Sequence, residues 1–311
     1  AGKGTTMTID FNGLNGADGT RIVTPLGDGG QTVAIIGDVN GDGVDDFFVG
    51  DPGARVGGFD DVGESFVVFG GSFGPSFDIF QNLFQINDGS KGFRLIGDLG
   101  TDSTRGELGF AAHGLGDFNG DGIDDFAVSA PFIDLGVGNT QQTGKIYVIY
   151  GAASFGAAID VAALSPLQGM TILGEDREDR AGRAISGAGD VNGDGLEDLV
   201  IGAISAEDGG FSTGMAYVVH GTSSGAATLD LGSLDGSNGF RMVGPENSSE
   251  LGSSVSDAGD VNGDGIDDFI LGAFTADQAG GTNSGSAFVV FGVQGGFGPS
   301  VNLGSLNGSN G

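Results

Sequence analysis

Asp-Val-Asn-Gly-Asp-Gly-Val-Asp-Asp spans residues 38–46. It returns as Asp-Phe-Asn-Gly-Asp-Gly-Ile-Asp-Asp at 117–125, Asp-Val-Asn-Gly-Asp-Gly-Leu-Glu-Asp at 190–198 and Asp-Val-Asn-Gly-Asp-Gly-Ile-Asp-Asp at 260–268. Positions 1, 3, 5 and 9 always carry an oxygen-bearing side chain, position 6 is always Gly, and position 7 is always apolar. A calcium ion takes six to eight hard oxygen ligands at about 2.3–2.6 Å, which a loop can supply from alternate residues. Positions 1, 3 and 5 offer side-chain oxygens, and Gly at 6 permits the sharp turn back to the ion. The carbonyl at 7 is a fourth donor while its apolar side chain turns into the protein, and Asp at 9 closes the cage. Asp-Gly and Asn-Gly pairs also form ordinary turns, but four copies that keep every donor point to calcium, about four ions in all.

An EF-hand would need a bidentate Glu at position 12 and helices on both sides. Position 12 is Val49, Val128, Ile201 or Leu271, each in a short apolar run. These loops therefore join β-strands.

The surrounding sequence repeats in phase. The loops begin 79, 73 and 70 residues apart, and such self-similarity marks a repeat architecture. Ahead of each loop lies a stretch of small residues, such as Ala184-Ile185-Ser186-Gly187-Ala188-Gly189, suited to a strand at a crowded centre. After it comes a buried-strand run, Phe47-Phe48-Val49-Gly50 in the first copy and Leu199-Val200-Ile201-Gly202 in the third. An alternating strand ending in Gly follows, as in Gly63–Gly70 and Gly144–Gly151, and then a less regular outer segment. Four strands per repeat, with a calcium loop joining the first two, predict an all-β fold. Its β-propeller-type blades have four antiparallel strands and one calcium loop each. The array fills 1–311 as repeats at about 7–70, 76–151, 158–221 and 228–292. Residues 298–311 begin a further repeat or supply a closing or exchanged strand.

The 311 residues carry a net charge of −31, and each loop contributes four acidic groups. That charge argues against nucleic acid and anionic membranes as partners. No Cys is present, so disulfide and thiol chemistry are excluded. No apolar run reaches the roughly 18 residues of a membrane-spanning helix, so no membrane insertion is expected. Ala1-Gly2-Lys3-Gly4 does not form a signal peptide; any targeting segment has been removed or lies outside this chain. Calcium outside cells would saturate even weak loops, which suits an extracellular or cell-surface protein.

The loops, Phe-Gly at 69–70 and 291–292, and the Gly-Asp-Pro (50–52), Ser-Ala-Pro (129–131) and Gly-Ala-Phe (272–274) segments resemble FG-GAP repeats. Such repeats build the propeller of integrin α chains and occur in large bacterial extracellular surface proteins. The resemblance covers nearly the whole chain, although Gly202-Ala203-Ile204 lacks the Pro and His220 replaces the aromatic before Gly221. It implies calcium ligands at Asp38, Asn40, Asp42, the Val44 carbonyl and Asp46. In the second loop they fall on Asp117, Asn119, Asp121, the Ile123 carbonyl and Asp125. The third has Asp190, Asn192, Asp194, Leu196 and Asp198, and the fourth Asp260, Asn262, Asp264, Ile266 and Asp268. Asn at position 3 replaces the family's commoner Asp and removes one charge per site, which implies modest affinity.

Integrin-type propellers have seven blades, whereas four full repeats are present here. Met7–Gly16 also resembles Ser300–Gly308, so an outer-strand segment stands at both ends. A segment of a longer array, a four-bladed ring, and a filament in which the spare strand pairs with a neighbouring molecule all fit this pattern.

Catalysis is not expected. His113 and His220 occupy strand positions and read as packing variants, and the acids at positions 8 and 9 recur in every repeat, as structure rather than a catalytic dyad would. The sequence favours a non-enzymatic, calcium-binding extracellular repeat protein with a structural or adhesive role, one that could assemble into filaments by strand exchange. Its partners would be copies of itself, surface proteins or glycans. The alternatives are a carbohydrate-binding propeller with aromatic-lined pockets between blades, which the absence of Trp weakens, and an accessory domain of a larger secreted hydrolase.

Overall fold

The computed structural model describes residues 21–23, 30–71, 76–78, 89–99, 106–135, 142–208, 211–244, 249–277 and 283–311. The amino-terminal segment 7–16 lies outside them.

Each small-residue stretch forms the inner strand of a sheet, and the chain then steps outward. The first sheet runs β2 (Thr32–Gly37), β3 (Asp46–Asp51), β4 (Glu64–Val68) and β6 (Gly92–Ile96), all antiparallel, in the register Val33–Val49, Val49–Phe66 and Phe66–Arg94. The second repeats this with β7 (Ala112–Gly116), β8 (Asp125–Ala130), β9 (Lys145–Ile149) and β11 (Gly169–Leu173). The third uses β12 (Ala184–Gly189), β13 (Asp198–Ala203), β16 (Met215–Val219) and β18 (Gly239–Val243), with a short hairpin of β14 (Glu207–Asp208) and β15 (Phe211–Ser212) between its second and third strands. The fourth comprises β19 (Leu251–Gly259), β20 (Asp268–Ala273) and β21 (Ser286–Val290).

The molecule is thus all-β and built from propeller-type blades, with one addition to the expected four strands. Between its third and fourth strands each repeat reaches back and lays a three-residue strand, in parallel, on the outer edge of the preceding blade. β10 (Ala158–Asp160) pairs with β6, β17 (Thr228–Asp230) with β11, and β22 (Ser300–Asn302) with β18. β5 (Ser76–Asp78) pairs in the same way with β1 (Arg21–Val23). This fifth strand covers a blade's outer edge with backbone from its neighbour, one way of protecting exposed strand edges.

The cores lie between the sheets. Ile36, Val39, Phe48, Val67 and Phe93 of the first blade meet Phe126, Val128, Tyr147 and Ile149 of the second. The interface between the second and third blades and that between the third and fourth follow the same plan. The inner strands sit side by side, β7 between β2 and β12, and β12 beside β19. That crowding accounts for their composition: a Cβ on Gly114 would press on the Ile36 backbone, about 2.9 Å away.

At the outer rim, the carboxylate following one blade's last strand grips the next blade. Asp98 pairs with Lys145 and accepts a long hydrogen bond from the Tyr147 hydroxyl at 3.5 Å. Glu175 accepts from Tyr217 at 3.0 Å and pairs with Arg241 at 3.3 Å. Among the described residues no helix is long and apolar enough to cross a membrane.

Candidate metal centres

A β-bulge precedes every loop, at Ile35/Gly37, Gly114/Gly116, Gly187/Gly189 and Asp257/Gly259. An extra residue there breaks the alternation of the strand and turns the chain into the loop. The loop then folds on its own hydrogen bonds. The position-1 carboxylate accepts from the backbone N–H groups of positions 5 and 6: Asp38 from Asp42 at 2.9 Å and Gly43 at 2.6 Å, Asp190 from Asp194 at 2.9 Å and Gly195 at 2.8 Å. Asp117 and Asp260 do the same. Position 5 accepts from position 7: Asp42 from Val44, Asp121 from Ile123, Asp194 from Leu196 and Asp264 from Ile266, at 2.9–3.0 Å. Gly43, Gly122, Gly195 and Gly265 at position 6 have φ of 88°, 88°, 91° and 90°, a left-handed conformation that glycine adopts without strain.

The position-9 carboxylates Asp46, Asp125, Asp198 and Asp268 are fully buried. One oxygen accepts from the loop backbone: from Val39, Asn119, Val191 and Val261 respectively, at 2.9–3.1 Å. The other accepts from the glycine ending the third strand: Gly70 at 2.7 Å, Gly151 at 2.8 Å, Gly221 at 2.9 Å and Gly292 at 2.9 Å. Burial, with the carboxylates at positions 1 and 5 adding to it, pushes Asp46 up to about 6, Asp125 to about 7 and Asp198 to about 8. Backbone N–H donors oppose the rise without cancelling it.

Asn40, Asn119, Asn192 and Asn262 occupy position 3. In three loops the amide nitrogen faces a carboxylate: Asn40 toward Asp46 at 3.4 Å, Asn119 toward Asp121 at 3.1 Å and Asn262 toward Asp264 at 2.9 Å. Among the described residues no group of three His, Cys, Asp or Glu side chains is drawn together as a metal-holding cluster. Only three of the five donors per loop belong to those residue types; the others are an amide and a backbone carbonyl. The donor set is nevertheless all oxygen, with three carboxylates per loop, and suits a hard cation. Such an ion would offset both the burial of position 9 and its repulsion from positions 1 and 5. The Asn amide would have to turn its oxygen inward.

Two features escaped the sequence reading. The acid at position 8 serves the neighbouring blade: Asp124 accepts from the Asp38 backbone N–H at 2.8 Å, and Asp267 from that of Asp190 at 3.0 Å. Glu197 lies against Gly116 in the corresponding place. Its pKa is raised by burial and by Asp267, Asp190, Asp257 and Asp124, so these acids cluster where successive loops meet. The carbonyl at position 2 also crosses between blades, accepting from Ala152, Thr222 and Val293 out of Val39, Phe118 and Val191, each at 2.9 Å.

The position-7 side chains depart from expectation. Ile123 lies over Gly41 and Leu196 over Gly120, so each packs on the preceding loop, while Val44 of the first repeat is 45% exposed. Of the two histidines only His113 departs from the packing role expected of it. His113 is exposed and accepts from the Gly187 backbone N–H at 3.1 Å, tying adjacent inner strands together; His220 is buried.

The model of the FG-GAP repeat family matches residues 112–149 and 181–219. The chain is 30% identical over 166 residues to "Integrin alpha pat-2" of Caenorhabditis elegans, covering 53% of this chain and 13% of that protein. It is 32% identical over 166 residues to "Integrin alpha-V" of Gallus gallus, covering 52% and 14%. To "Phosphatidylinositol-glycan-specific phospholipase D" of Rattus norvegicus it is 30% identical over 221 residues, covering 70% and 23%. The chain spans less than a quarter of the length of these curated relatives.

Proposed function

Because this chain carries FG-GAP repeats with an integrin-type fold, we propose that it is a calcium-binding, non-enzymatic module with a structural or adhesive role outside the cell. The observation that carries this reading is the fourfold recurrence of one oxygen-donor loop at the junctions between blades. There the position-9 carboxylate is buried in every loop, and in the first three burial, with the carboxylates at positions 1 and 5 adding to it, raises its pKa. Positions 1, 3, 5 and 9 and the carbonyl of position 7 would hold one calcium ion per loop. The ion would supply charge compensation and rigidity. Since the same loop donates and accepts the bonds that join blades, fixing it fixes the stacking.

Calcium titration of chelator-treated protein by calorimetry tests this. Binding of about four ions is expected, with loss of one site in Asp125→Ala. No heat of binding and no retained metal would contradict it.

Self-assembly by strand exchange belongs to the same reading. Three-residue strands already pair in parallel with the edge of a neighbouring blade, and such an edge strand could equally come from a neighbouring molecule. Electron microscopy at high concentration in calcium should show head-to-tail assemblies; monomers alone would remove this element.

The phospholipase relatives favour a second reading, an accessory module attached to a larger enzyme. The full-length sequence separates the two, since a catalytic region beside the repeats would favour the second.

A further inference from the structure

Three times in this molecule one blade seats against the next, and the same loop positions close each junction. Position 2 is covered by the following blade: Val39, Phe118 and Val191 are fully buried in the three cores. Its carbonyl accepts from the residue after the next blade's strand-ending glycine, Ala152, Thr222 or Val293. The N–H of position 1 donates to the next blade's position-8 acid, as Asp38 does to Asp124 and Asp190 to Asp267. Position 7 packs over position 4 of the preceding loop, Ile123 on Gly41 and Leu196 on Gly120. A junction therefore has two different halves, one on each blade.

The fourth blade presents one half without its complement. Val261 at position 2 is 57% exposed. Ile270, Ala287 and Val289 are half-buried or exposed, whereas Val200, Ala216 and Val218 in the same places of the third blade are fully buried against the fourth. Among the described residues nothing accepts from the Asp260 N–H or donates to the Val261 carbonyl.

The first blade presents the other half. Val33 and Ile35 on its inner strand are 70% and 67% exposed, and Val44 at position 7 is exposed as well. Ile185, the counterpart of Val33 in the third blade, lies in a core. Asp45, the position-8 acid, is exposed, and so is Gly71, the counterpart of Ala152. Among the described residues nothing donates to the Asp45 carboxylate or accepts from the Gly71 N–H. The outer part of this face is closed, since Val49, Phe66 and Val68 are buried. The open ground is the inner strand and the loop. Ile35 stands where the second and third blades have Gly114 and Gly187, but the fourth has Asp257 there, so the junction accommodates a side chain at that place.

We propose that these two open faces are the halves of an interface between copies of this chain, the fourth blade of one copy seated on the first blade of the next. The Asp45 carboxylate accepts from the second copy's Asp260 N–H, and the Gly71 N–H donates to its Val261 carbonyl. Val44 lies over Gly263, while Val33 and Ile35 meet the inner strand β19. The three internal junctions supply the template for every one of these contacts. Because the two faces differ, each copy that joins leaves one of each kind free, and the assembly extends head to tail. The footprint covers only part of a blade face, so the contact is weak and depends on concentration. This deepens the self-assembly part of the proposed function, and it rests on blade faces rather than on strand exchange at the outer edges.

The test is sedimentation of the calcium-loaded chain up to millimolar concentration, with bound metal measured in each sample. The wild type should grow beyond dimers as concentration rises. Val261→Asp blocks the fourth-blade face, and Val33→Asp/Ile35→Asp blocks the first-blade face. All three side chains are exposed, so circular dichroism should show both variants folded. Each variant alone should associate at least tenfold more weakly than the wild type. An equimolar mixture of the two retains one good face of each kind and should give a one-to-one heterodimer and nothing larger. If the variants assemble as the wild type does, association runs through the strand edges, and the stacking proposal falls while self-assembly stands. A wild type that stays monomeric at every concentration would overturn both. A monomeric wild type that Val261→Asp destabilises would show that the chain's own first blade covers the face, which also overturns the proposal. Assembly of a chain that holds no calcium would count against the metal reading alone.

Discussion

Gly151 shows how much one atom controls in this molecule. Its N–H donates to Asp125, and a Cβ in its place would run into the Asp124 backbone carbonyl. Gly151→Ala is therefore expected to cost about 1–3 kcal/mol, as overpacking of a tight site does, and to weaken calcium binding at the second loop; urea unfolding and calorimetry read the two effects. The glycine ending the third strand and the oxygen-donor loop were each legible as motifs. Their bond was not, because it joins residues 26 apart through a turn that no local period encodes. A second residue-scale effect concerns Asp179, in the charged segment 175–180. It is 2% exposed and accepts from the Asp176 backbone N–H at 3.0 Å. Burial, followed by Asp176, Glu175 and Glu207, raises its pKa to about 7. The folded state thus holds a proton between about pH 4 and 7 that the unfolded chain releases, so this group's contribution to stability falls as pH rises through that window. In saturating calcium, unfolding at pH 5 and pH 8 should show a smaller loss of stability in Asp179→Asn than in the wild type. An equal loss in both would remove Asp179 from the account.

At the scale of the element, the loop and the blade interface are one structure. Asp124 stands in the second loop but holds the backbone of Asp38, the first proposed ligand of the first loop. Asp124→Ala should lower calcium affinity at that first loop by about tenfold, the lower end of the usual effect of removing an outer-shell partner, while the second loop keeps every donor of its own. Calorimetry would resolve one weakened site, and a uniform change at all four would contradict the assignment. Packing between blades supplies the rest. Phe126 is fully buried, with its ring 6.4 Å from that of Phe48 and 6.5 Å from that of Phe93. Phe126→Ala is expected to cost about 3–5 kcal/mol, read by urea unfolding. The inner, second and third strands were legible from small residues, apolar runs and alternation. The fifth strand was not, since β10, β17 and β22 have three residues each and find their partners in another repeat. The position-8 acids were seen and left without a role for the same reason: their partners lie across a blade interface.

For the whole molecule, the proposed calcium sites, the charge and the stacking are linked. A net charge of −31 on 311 residues, with four acidic groups in every loop, opposes compaction unless cations offset it. The oxygen-bearing residue types and the loop that carries them could be read from the sequence. The tie between that loop and blade stacking could not, because it rests on the bonds that the Ala152, Thr222 and Val293 N–H groups donate to the carbonyls of Val39, Phe118 and Val191. Metal binding should therefore stabilise the array as a unit. The most direct test is the melting temperature of the chain in calcium and again after chelation, with bound metal measured in both samples. The account predicts retained calcium near four ions per chain before chelation and a large fall in melting temperature after it. A chain that holds no calcium at the outset and melts at the same temperature in both conditions would contradict it.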